Sequence, residues 1–372
     1  MATKKERRVE EVKQEVVVKP SADGTATIDA TKAKLVGKRR LINLPQWAVA
    51  WLVLIPALFF IIWFMLFPIV NTVLFAFIQD FIYDEGGSFA LGQYIIASTS
   101  GQATSFGFKN FINVMNDELF LRSIVNTAEL VIVEVPLTII VSLLIATFLN
   151  SIKVLKGFYQ TVFFLPYVTN TIALGLIFSI AFSPFDGGLI NIVIRSMGGD
   201  SVNWLGNSLN VGGAAGRFEQ GVVIVTYSLW NGIAFKILVF MSGLATIDKQ
   251  YYDAAKIDGS SSFTIWRRIT LPLLSPQILY ITITSFIGAF KMYTGVMAVY
   301  QGLGTDAYYF GPSNDFKLNG SQWMPVVGWI YKDMYYHITE PGNASAGSLI
   351  LLAIIMVITA VQFAVSKKRV HY

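Results

Sequence analysis

The chain has 372 residues, of which 54% are apolar and 14% charged, and its formal net charge is +5. Because soluble globular domains carry about 25% charged residues, this composition excludes an ordinary soluble protein and favours one whose apolar side chains face lipid. The absence of cysteine excludes disulfides, thiol chemistry and thiolate metal sites, which leaves His337 and His371 as imidazole ligands. We expect no metal site in this chain.

Residues 1–45 form a basic tail without helical periodicity. Polar, highly charged segments of this kind do not bury enough apolar surface to fold alone, so we predict a mostly disordered cytoplasmic tail. Its lysines and arginines are typical of a topology anchor at an anionic membrane surface, and a regulatory role is the alternative. Lys and Arg also flank the apolar runs, so the net charge indicates membrane orientation and not nucleic-acid binding.

Long apolar runs dominate the rest of the chain. A helix needs about 20 mostly apolar residues to cross a bilayer, and these runs are too long for the strands of a membrane barrel. Six stretches qualify: 47–68, 126–149, 157–182, 220–243, 275–299 and 346–366. We predict an all-α integral membrane protein with six transmembrane helices. The first lies within residues 46–77, and an extracytoplasmic segment follows over residues 78–122.

The distribution of Lys and Arg between the connecting segments predicts the orientation, because cytoplasmic loops accumulate these residues. One side collects the basic tail, Lys153, Lys156, the loop 248–272 and the basic residues that precede the C-terminal tail 369–372. The other side is aromatic and amide-rich and contains far fewer cations. The sequence therefore predicts a multi-pass membrane protein with both termini in the cytoplasm.

The loop 248–272 has the signals of two short helices. Asp248 is a predicted N-cap, and Gly259 is the matching stop because glycine enters the left-handed conformation without steric cost. A second helix is predicted to follow and to end at Pro272. Asp258 lies at the unfavourable end of the first helix dipole, so we expect it either to cap the second helix or to meet a donor on a partner protein.

A resemblance to a known family rests on this loop and on several further motifs. The loop reads Tyr252-Asp253-Ala254-Ala255, then Asp258-Gly259, Phe263 and Ile269-Thr270-Leu271-Pro272. The other motifs are Asn126-Thr127, Val135-Pro136-Leu137, Phe163-Phe164-Leu165-Pro166-Tyr167, Asp186 to Asn191, Trp204-Leu205-Gly206 and Trp230-Asn231-Gly232. Over residues 107–368 the chain resembles the permeases of binding-protein-dependent ABC importers, and within them the carbohydrate branch that contains the larger permease subunit of the maltose transporter. It departs from the family at Asp253, where a glutamate is usual.

The resemblance implies the type I ABC importer permease fold, with a core over residues 123–368, in the inner membrane of a bacterium. It implies a complex with a second, homologous permease subunit, a dimer of ABC ATPase subunits and an extracellular solute-binding protein. ATP and Mg²⁺ are expected on the ATPase, because this chain lacks a phosphate-binding loop; no cofactor is expected on the chain itself. Contact with the ATPase is implied for Tyr252, Asp253, Ala254, Ala255, Asp258, Gly259, Phe263, Arg267 and Pro272.

The same resemblance implies a substrate pathway. The loop 248–272 corresponds to the coupling loop of these permeases. Alignment on it carries the sugar-contacting positions of the maltose permease onto Ser228, Asn231, Gly232, Phe235, Ser285, Gly288, Ala289 and Met292. Amides, hydroxyls and aromatic faces suit a sugar. The alternative for Ser285, Gly288 and Ala289 is close packing of small residues between helices.

Four charged residues lie inside the predicted spans, where charges usually face a cavity or a partner. They are Lys236, Lys291, Glu129 and Glu134. Contact with substrate is one interpretation. The other is a pair of structural ion pairs, Lys236 with Glu134 and Lys291 with Glu129.

We therefore predict a non-enzymatic permease subunit of an ATP-driven importer, which has no catalytic residues and translocates a sugar or oligosaccharide delivered by a solute-binding protein. One alternative is the same fold importing glycerol phosphate or another polar solute, with Lys236 and Lys291 as cations. Another is an ion-driven transporter, which would leave the cytoplasmic helix pair without a purpose. A membrane-embedded transferase needs paired carboxylates or a metal cluster, whereas the outer acids are scattered: Asp80, Asp84, Glu85, Asp117 and Glu118.

Overall fold

The computed structural model describes residues 18–20, 26–28, 45–79, 105–152, 154–183, 187–205, 216–301, 323–336 and 341–366. Several sequence predictions lie outside these ranges: most of the basic tail, Asp80, Asp84, Glu85, Lys153, Asp186, Gly206, His337, His371 and residues 369–372. The chain divides into two compact units, Met1–Met65 and Leu66–Tyr372. Each unit is described by itself.

The first unit contains two short strands and an apolar helix. β1 (Val18–Pro20) pairs antiparallel with β2 (Ala26–Ile28), and Val18 lies opposite Ile28. Strands of three residues are too short to produce a periodic signal in a sequence, so this hairpin was not predicted. α1 (Gln46–Ile61) contains no charged residue and leaves most of its side chains exposed, as expected for a helix that faces lipid.

The helices of the second unit begin after a π turn at Ile62–Leu66. They are α2 (Phe67–Phe77), α3 (Lys109–Asn116), α4 (Glu118–Ser151), α5 (Lys156–Val168), α6 (Thr171–Ala181), α7 (Leu189–Ser196), α8 (Arg217–Thr246), α9 (Lys249–Ile257), α10 (Ser262–Ile265), α11 (Leu271–Leu273), α12 (Ser275–Phe290), α13 (Thr294–Gln301), α14 (Val326–Tyr336) and α15 (Gly342–Ser366).

The described chain has four continuous segments that are long and apolar enough to cross a membrane: Trp47–Phe77, Glu118–Ser151, Arg217–Thr246 and Gly342–Ser366. Two further candidates are bent helix pairs, Gly157–Val168 with Thr171–Ala181 at 97° and Ser262–Leu273 with Ser275–Phe290 at 66°. The number of candidate spans reaches the predicted six when each bent pair counts as one span. The fold is all-α apart from the one short hairpin.

Two predicted spans are broken where the sequence analysis assumed continuous helices. In the stretch 157–182, Asn170 interrupts the helix because its side chain accepts hydrogen bonds from the backbone N–H groups of Ile172 and Ala173 and so begins a new helix. In the stretch 275–299, the N–H of Lys291 bonds to the Gly288 carbonyl, three residues back. A tightened last turn of this kind ends an α-helix, so the chain leaves the helix before α13.

The core of the second unit consists of two hydrophobic clusters along α4 and α8, the helix pair with the most extensive packing. The first cluster includes Phe120 and Val131 of α4 and Ile224 of α8. The second includes Leu149 of α4 and Phe240 of α8. Along both helices, polar side chains occur where one cluster gives way to the other. That junction is the part of the fold where a polar site can form inside the bundle.

Candidate functional site

The coupling elbow, defined as residues 248–273, folds much as its turn signals predict. Asp248 is the N-cap of α9 and accepts a hydrogen bond from the backbone N–H of Gln250 at 3.0 Å. Gly259 has a φ of 69°, the left-handed conformation expected of the stop residue. The prediction that Asp258 caps the next helix is wrong. Ser261 is that cap, because its hydroxyl accepts from Thr264 N–H and Asp258 lies too early in the turn.

Pro272 does not end the second helix of the elbow, contrary to the prediction. A π turn at Trp266–Thr270 widens the helix before the proline, with the N–H of Leu271 bonded to the carbonyl of Trp266. The wider turn accommodates a residue that lacks an N–H and crowds the preceding turn. The helix therefore continues through Leu273, and the bend into α12 follows at Leu274.

One side-chain hydrogen bond holds the two halves of the elbow together, and another attaches the elbow to the rest of the bundle. The hydroxyls of Tyr252 and Thr270 lie 3.3 Å apart and join α9 to the π turn. The indole N–H of Trp266 donates to the Thr147 hydroxyl of α4 at 3.3 Å. Ala255 is buried against the chain itself. The elbow is thus attached to α4 as well as to α12, so a force applied to it reaches two helices.

The outward side of the elbow exposes apolar side chains among charged ones. Ile257 is 87% exposed and Phe263 is 66% exposed. Ala254 is also exposed, as are Arg267 and the weak pair of Asp253 with Lys256, whose charged atoms are 3.9 Å apart. Ala254 and Ala255 therefore occupy different sides of α9. The small outward residue is Ala254 alone.

A cavity of about 640 Å³ lies inside the second unit, within the size range of small-molecule sites. All eight predicted pathway residues line it: Ser228, Asn231, Gly232, Phe235, Ser285, Gly288, Ala289 and Met292. Glu134, Lys236 and Lys291 are also part of its wall. The structure thus brings the α8 and α12 positions together around one space, although they are about 50 residues apart in sequence.

The wall of the cavity combines aromatic and hydroxyl groups. The rings of Tyr167 and Phe235 stack with centroids 6.0 Å apart and an interplanar angle of 21°. The Ser228 hydroxyl contacts the sulfur of Met292 at 3.6 Å. A methyl group added at Gly288 would meet no heavy atom within 4 Å, so Gly288 leaves open space. For this glycine the close-packing interpretation does not hold.

The charged residues are arranged differently from the predicted ion pairs. Glu129 does not pair with Lys291. Its carboxylate accepts a 2.6 Å bond from Arg217, whose guanidinium also donates to Asn126 at 3.0 Å. Arg217 begins α8 and lies beside Glu129 of α4, whereas Lys291 lies beyond the end of α12. Helix packing therefore gives Glu129 a different partner, and it lies outside the cavity wall.

Glu134 and Lys236 are both buried, each 8% exposed. Their charges interact across the α4–α8 contact, but among the described residues they do not form an ion-pair contact within 4 Å. Within the ranges that the structure describes, the carboxylate oxygen Oε2 of Glu134 has no hydrogen-bond partner. The pair is therefore coupled by charge alone, with space beside it.

Family comparison adds independent information to this geometry. Residues 138–371 match the model of a family described as the binding-protein-dependent transport system inner membrane component. The match covers more than half of the chain and includes the elbow and the cavity positions of α8 and α12. The chain belongs to this family. It is a permease subunit of an ABC importer, a transport component rather than an enzyme.

Three relatives of the permease match over most of their length. It is 27% identical to the lactose transport system permease protein LacF of Rhizobium radiobacter, over 86% of this chain and 94% of the relative. It is also 27% identical to the arabinooligosaccharides transport system permease protein AraP of Bacillus subtilis, over 94% of this chain and 98% of the relative. The sn-glycerol-3-phosphate transport system permease protein UgpA of Agrobacterium fabrum is 28% identical, over 73% and 84%.

Solved structures share the fold of the permease. A chain of a bacterial ABC transporter involved in the import of the acidic polysaccharide alginate superposes with a TM-score of 0.62 at 17% identity, over 87% of this chain and 96% of that one. A chain of the alginate transporter in complex with an alginate pentasaccharide-bound periplasmic protein superposes with a TM-score of 0.63 at 18% identity, over 86% of this chain and 94% of that one. The permease therefore has the type I ABC importer fold.

Several cavity residues were missed by sequence reasoning. They are Tyr167, Thr169, Thr171, Tyr227, Ile281, Thr284, Thr294 and Gly295. Tyr167 ends the Phe163-to-Tyr167 motif. The motif was noted as evidence of the family, but it did not indicate that Tyr167 lines a cavity. Tyr227 lies within α8, and Ile281 and Thr284 lie within α12. The remaining four flank the helix breaks: Thr169 and Thr171 between α5 and α6, and Thr294 and Gly295 after α12. These breaks had to be known before the residues beside them could be assigned to a cavity.

Proposed function

We propose that the permease is one of two membrane subunits of an ATP-driven importer for a neutral sugar or oligosaccharide, and that the cavity is the point where the cargo crosses the bilayer. The observation that carries this proposal is the cavity wall. It combines a stacked aromatic pair with the amide of Asn231 and the hydroxyls of Ser228 and Ser285. Aromatic rings pack against the C–H faces of a sugar, while amides and hydroxyls bond to its hydroxyl groups.

The names of the relatives support a saccharide cargo. Lactose and arabinooligosaccharides are the solutes in the names of two permeases that match nearly the whole chain. A cavity of about 640 Å³ has room for at least a sugar of that size. A solute-binding protein delivers the cargo, and the permease itself binds no cofactor.

The elbow supports the proposed partners. We propose that it docks in a groove of an ABC ATPase, which carries ATP and Mg²⁺, and that a second, homologous permease completes the complex. Ile257 and Phe263 are exposed apolar side chains on a charged segment between two spans, which is typical of a surface that a protein partner covers. The Tyr252–Thr270 bond then keeps the elbow together, and the bond from Trp266 to Thr147 transmits motion of the ATPase into the bundle.

Reconstitution tests the transport proposal. The permease is co-expressed with the second permease subunit, the ATPase and the binding protein that are encoded next to its own gene. The purified complex is then placed in proteoliposomes. The assay measures uptake of radiolabelled lactose and arabinotriose with and without ATP. We expect ATP-dependent accumulation of at least one of them. ATP-independent equilibration, or recovery of the permease without an ATPase, would contradict the proposal.

The proposed orientation has both termini and the elbow in the cytoplasm. Because the chain has no cysteine, single-cysteine variants can be made without removing other thiols. Lys256→Cys in the elbow and Met197→Cys after α7 are exposed positions in segments assigned to opposite sides. A membrane-impermeant maleimide applied to intact cells is expected to label residue 197 and to spare residue 256. The reverse pattern would exclude contact between the elbow and a cytoplasmic ATPase.

A second candidate function is import of a phosphorylated polar solute. It is favoured by Lys236 and Lys291 in the cavity wall and by the relative named for sn-glycerol 3-phosphate. Lys236→Gln combined with Lys291→Gln removes both cations. If the cargo is anionic, uptake of sn-glycerol 3-phosphate falls far more than uptake of lactose. If the cargo is neutral, the phosphorylated solute is poorly imported even by the unmodified complex.

A further inference from the structure

Glu134 is the most unusual side chain in the cavity wall, because a carboxylate at membrane depth is expensive unless donors satisfy it. The residue is 8% exposed, and its Oε2 atom has no hydrogen-bond partner within the part of the chain that the structure describes. It nevertheless lines the cavity. A buried acceptor in this position needs a donor that the described part of the chain does not supply.

Glu129 provides the internal comparison. It lies on the same helix five residues earlier, and its carboxylate is satisfied by the guanidinium of Arg217 at 2.6 Å. Among the described residues, a donor reaches the carboxylate outside the cavity and none reaches Oε2 of the carboxylate in the cavity wall. Because Glu134 lines the cavity, a molecule bound there is an available donor.

Lys236 determines what kind of ligand suits this carboxylate. The Lys236 ammonium lies beside Gly232, where a Cβ atom would be only 3.0 Å from Nζ, and its charge interacts with that of Glu134. The two opposite charges offset one another, so together they present little net charge to the cavity. An incoming anion would meet the repulsion of Glu134 as well as the attraction of Lys236 and of Lys291, the other lysine of the wall.

We infer that Glu134 is a specificity-determining residue that accepts hydrogen bonds from the hydroxyl groups of an uncharged, polyhydroxylated cargo, with Lys236 as its counter-charge. Hydroxyl donors satisfy a carboxylate without adding charge, and hydrogen bonds to charged groups are stronger than those between neutral ones. The terminal torsion of a glutamate is broad, so a modest rotation turns either oxygen towards the cavity. The inference rests on the proposed function and specifies which saccharides the site accepts.

Equilibrium dialysis tests this inference on the purified importer complex without its solute-binding protein, so that only the membrane site selects. The probes are radiolabelled lactose, arabinotriose and sn-glycerol 3-phosphate. The unmodified complex is expected to bind a neutral sugar more tightly than the phosphate ester. Glu134→Gln, which keeps the shape but removes the charge, is expected to weaken binding of that sugar at least about tenfold.

The same variant has a second expected effect, which a purely structural role would not produce. Without the carboxylate, Lys236 becomes an uncompensated cation, so binding of sn-glycerol 3-phosphate is expected to rise relative to the sugar. Lys236→Met combined with Glu134→Gln abolishes that rise. Glu118→Gln is the matched control, because Glu118 is exposed on the same helix and lies far along it from the cavity residues. The complex with this variant is expected to bind the sugar and the phosphate ester as the unmodified complex does.

Several results would overturn the inference. They are unchanged sugar binding by Glu134→Gln, preference of the unmodified complex for the phosphate ester, and failure of that complex to bind either sugar. Unchanged binding with lost uptake would make Glu134 part of a gate instead. ATP-driven uptake with the binding protein present decides the proposed function separately, since a complex can import a sugar whose selection does not involve Glu134.

Discussion

The elbow and the cavity invert the usual distribution of side chains in opposite ways. Outside the bundle, the elbow exposes Ile257 and Phe263 where polar residues are ordinary. Inside the bundle, the cavity wall buries Glu134 and Lys236 where apolar residues are ordinary. Each inversion is costly for the isolated chain. These are the two places where we propose that another molecule completes the surface, a protein at the elbow and a small polar solute in the cavity.

The two regions also differ in how they are built. The elbow is one continuous stretch, and its caps act over three or four residues. The cavity is assembled from α4, α5, α8 and α12 and from two helix breaks. A single local change is therefore expected to abolish coupling by the elbow. A single change in the cavity is expected to reduce uptake only in part, because several helices contribute to its wall. The following experiments test that difference.

The largest effect is expected from Gly259→Pro or from deletion of residues 253–259. Proline cannot adopt the φ of 69° that Gly259 has, so the two elbow helices lose their relative orientation. ATP-dependent uptake is expected to fall at least about a hundredfold, which corresponds to about 2.7 kcal/mol of coupling, while the protein stays in the membrane. Uptake in proteoliposomes and immunoblots of membrane fractions measure the two properties. Normal uptake would show that the elbow does not couple.

The apolar residues of the elbow are tested with Ile257→Ala combined with Phe263→Ala. Burying one large apolar side chain contributes about 1.5–3 kcal/mol, so the loss of even one such contribution weakens ATPase binding by about ten- to a hundredfold, and the double variant is expected to weaken it by at least that much. Met197→Ala is the matched control, because Met197 is as exposed as Ile257 but lies outside the elbow. Co-purification of the ATPase with tagged permease measures the effect. Equal losses of ATPase binding in the two variants would show that the apolar residues of the elbow do not contact the ATPase specifically.

The cavity is tested by filling it. Gly288→Ala is expected to be tolerated and Gly288→Phe to reduce uptake about tenfold, because position 288 opens onto space in which a larger side chain competes with cargo. Gly295→Ala is the contrasting variant. Its methyl group would clash with the Tyr227 ring, so it is expected to destabilise the protein by about 1–3 kcal/mol. Thermal unfolding separates blocked transport from lost stability.

A smaller effect is expected for Glu129→Gln. The carboxylate is about half exposed and pairs with Arg217 at 2.6 Å, so its loss is expected to cost about 1 kcal/mol of stability. The relative uptake of neutral and phosphorylated solutes is expected to stay unchanged, because Glu129 lies outside the cavity wall. A change in that ratio would extend the substrate pathway to this residue.

The smallest effect is expected for Lys256→Met. The pair with Asp253 is 3.9 Å long and its side chains are about 70% exposed, and exposed pairs contribute at most about 1 kcal/mol. Stability is expected to change by less than about 0.5 kcal/mol. If ATPase binding is lost while stability is kept, Lys256 contacts the partner directly.

Much of the elbow could be predicted from the sequence because each of its signals acts locally. The Asp248 cap and the left-handed Gly259 depend on the next few residues, and both were predicted correctly. The errors arose where a signal had more than one structural solution. Pro272 can end a helix or follow a widened turn, and the π turn at Trp266–Thr270 decided for the second. Ser261 competed with Asp258 for the capping position.

The candidate site was predicted in part. The eight pathway positions carried over by family resemblance do line one cavity, and their contact with cargo stays a prediction. The partner of Glu129 could not be predicted, because Arg217 is 88 residues away in sequence. Its proximity depends on the packing of α4 against α8, which is not apparent from either helix alone.

The apolar runs by themselves determined that this chain is helical and embedded in lipid, because hydrocarbon leaves the backbone no hydrogen-bond partner but itself. The motif of the elbow determined the family. Only the tertiary structure decided where two of the spans break, which carboxylate receives a donor and which one faces the cavity. The reason is distance. Local hydrogen bonds and hydrophobicity act within a few residues, whereas a charged pair or a cavity exists only once separate helices have packed together.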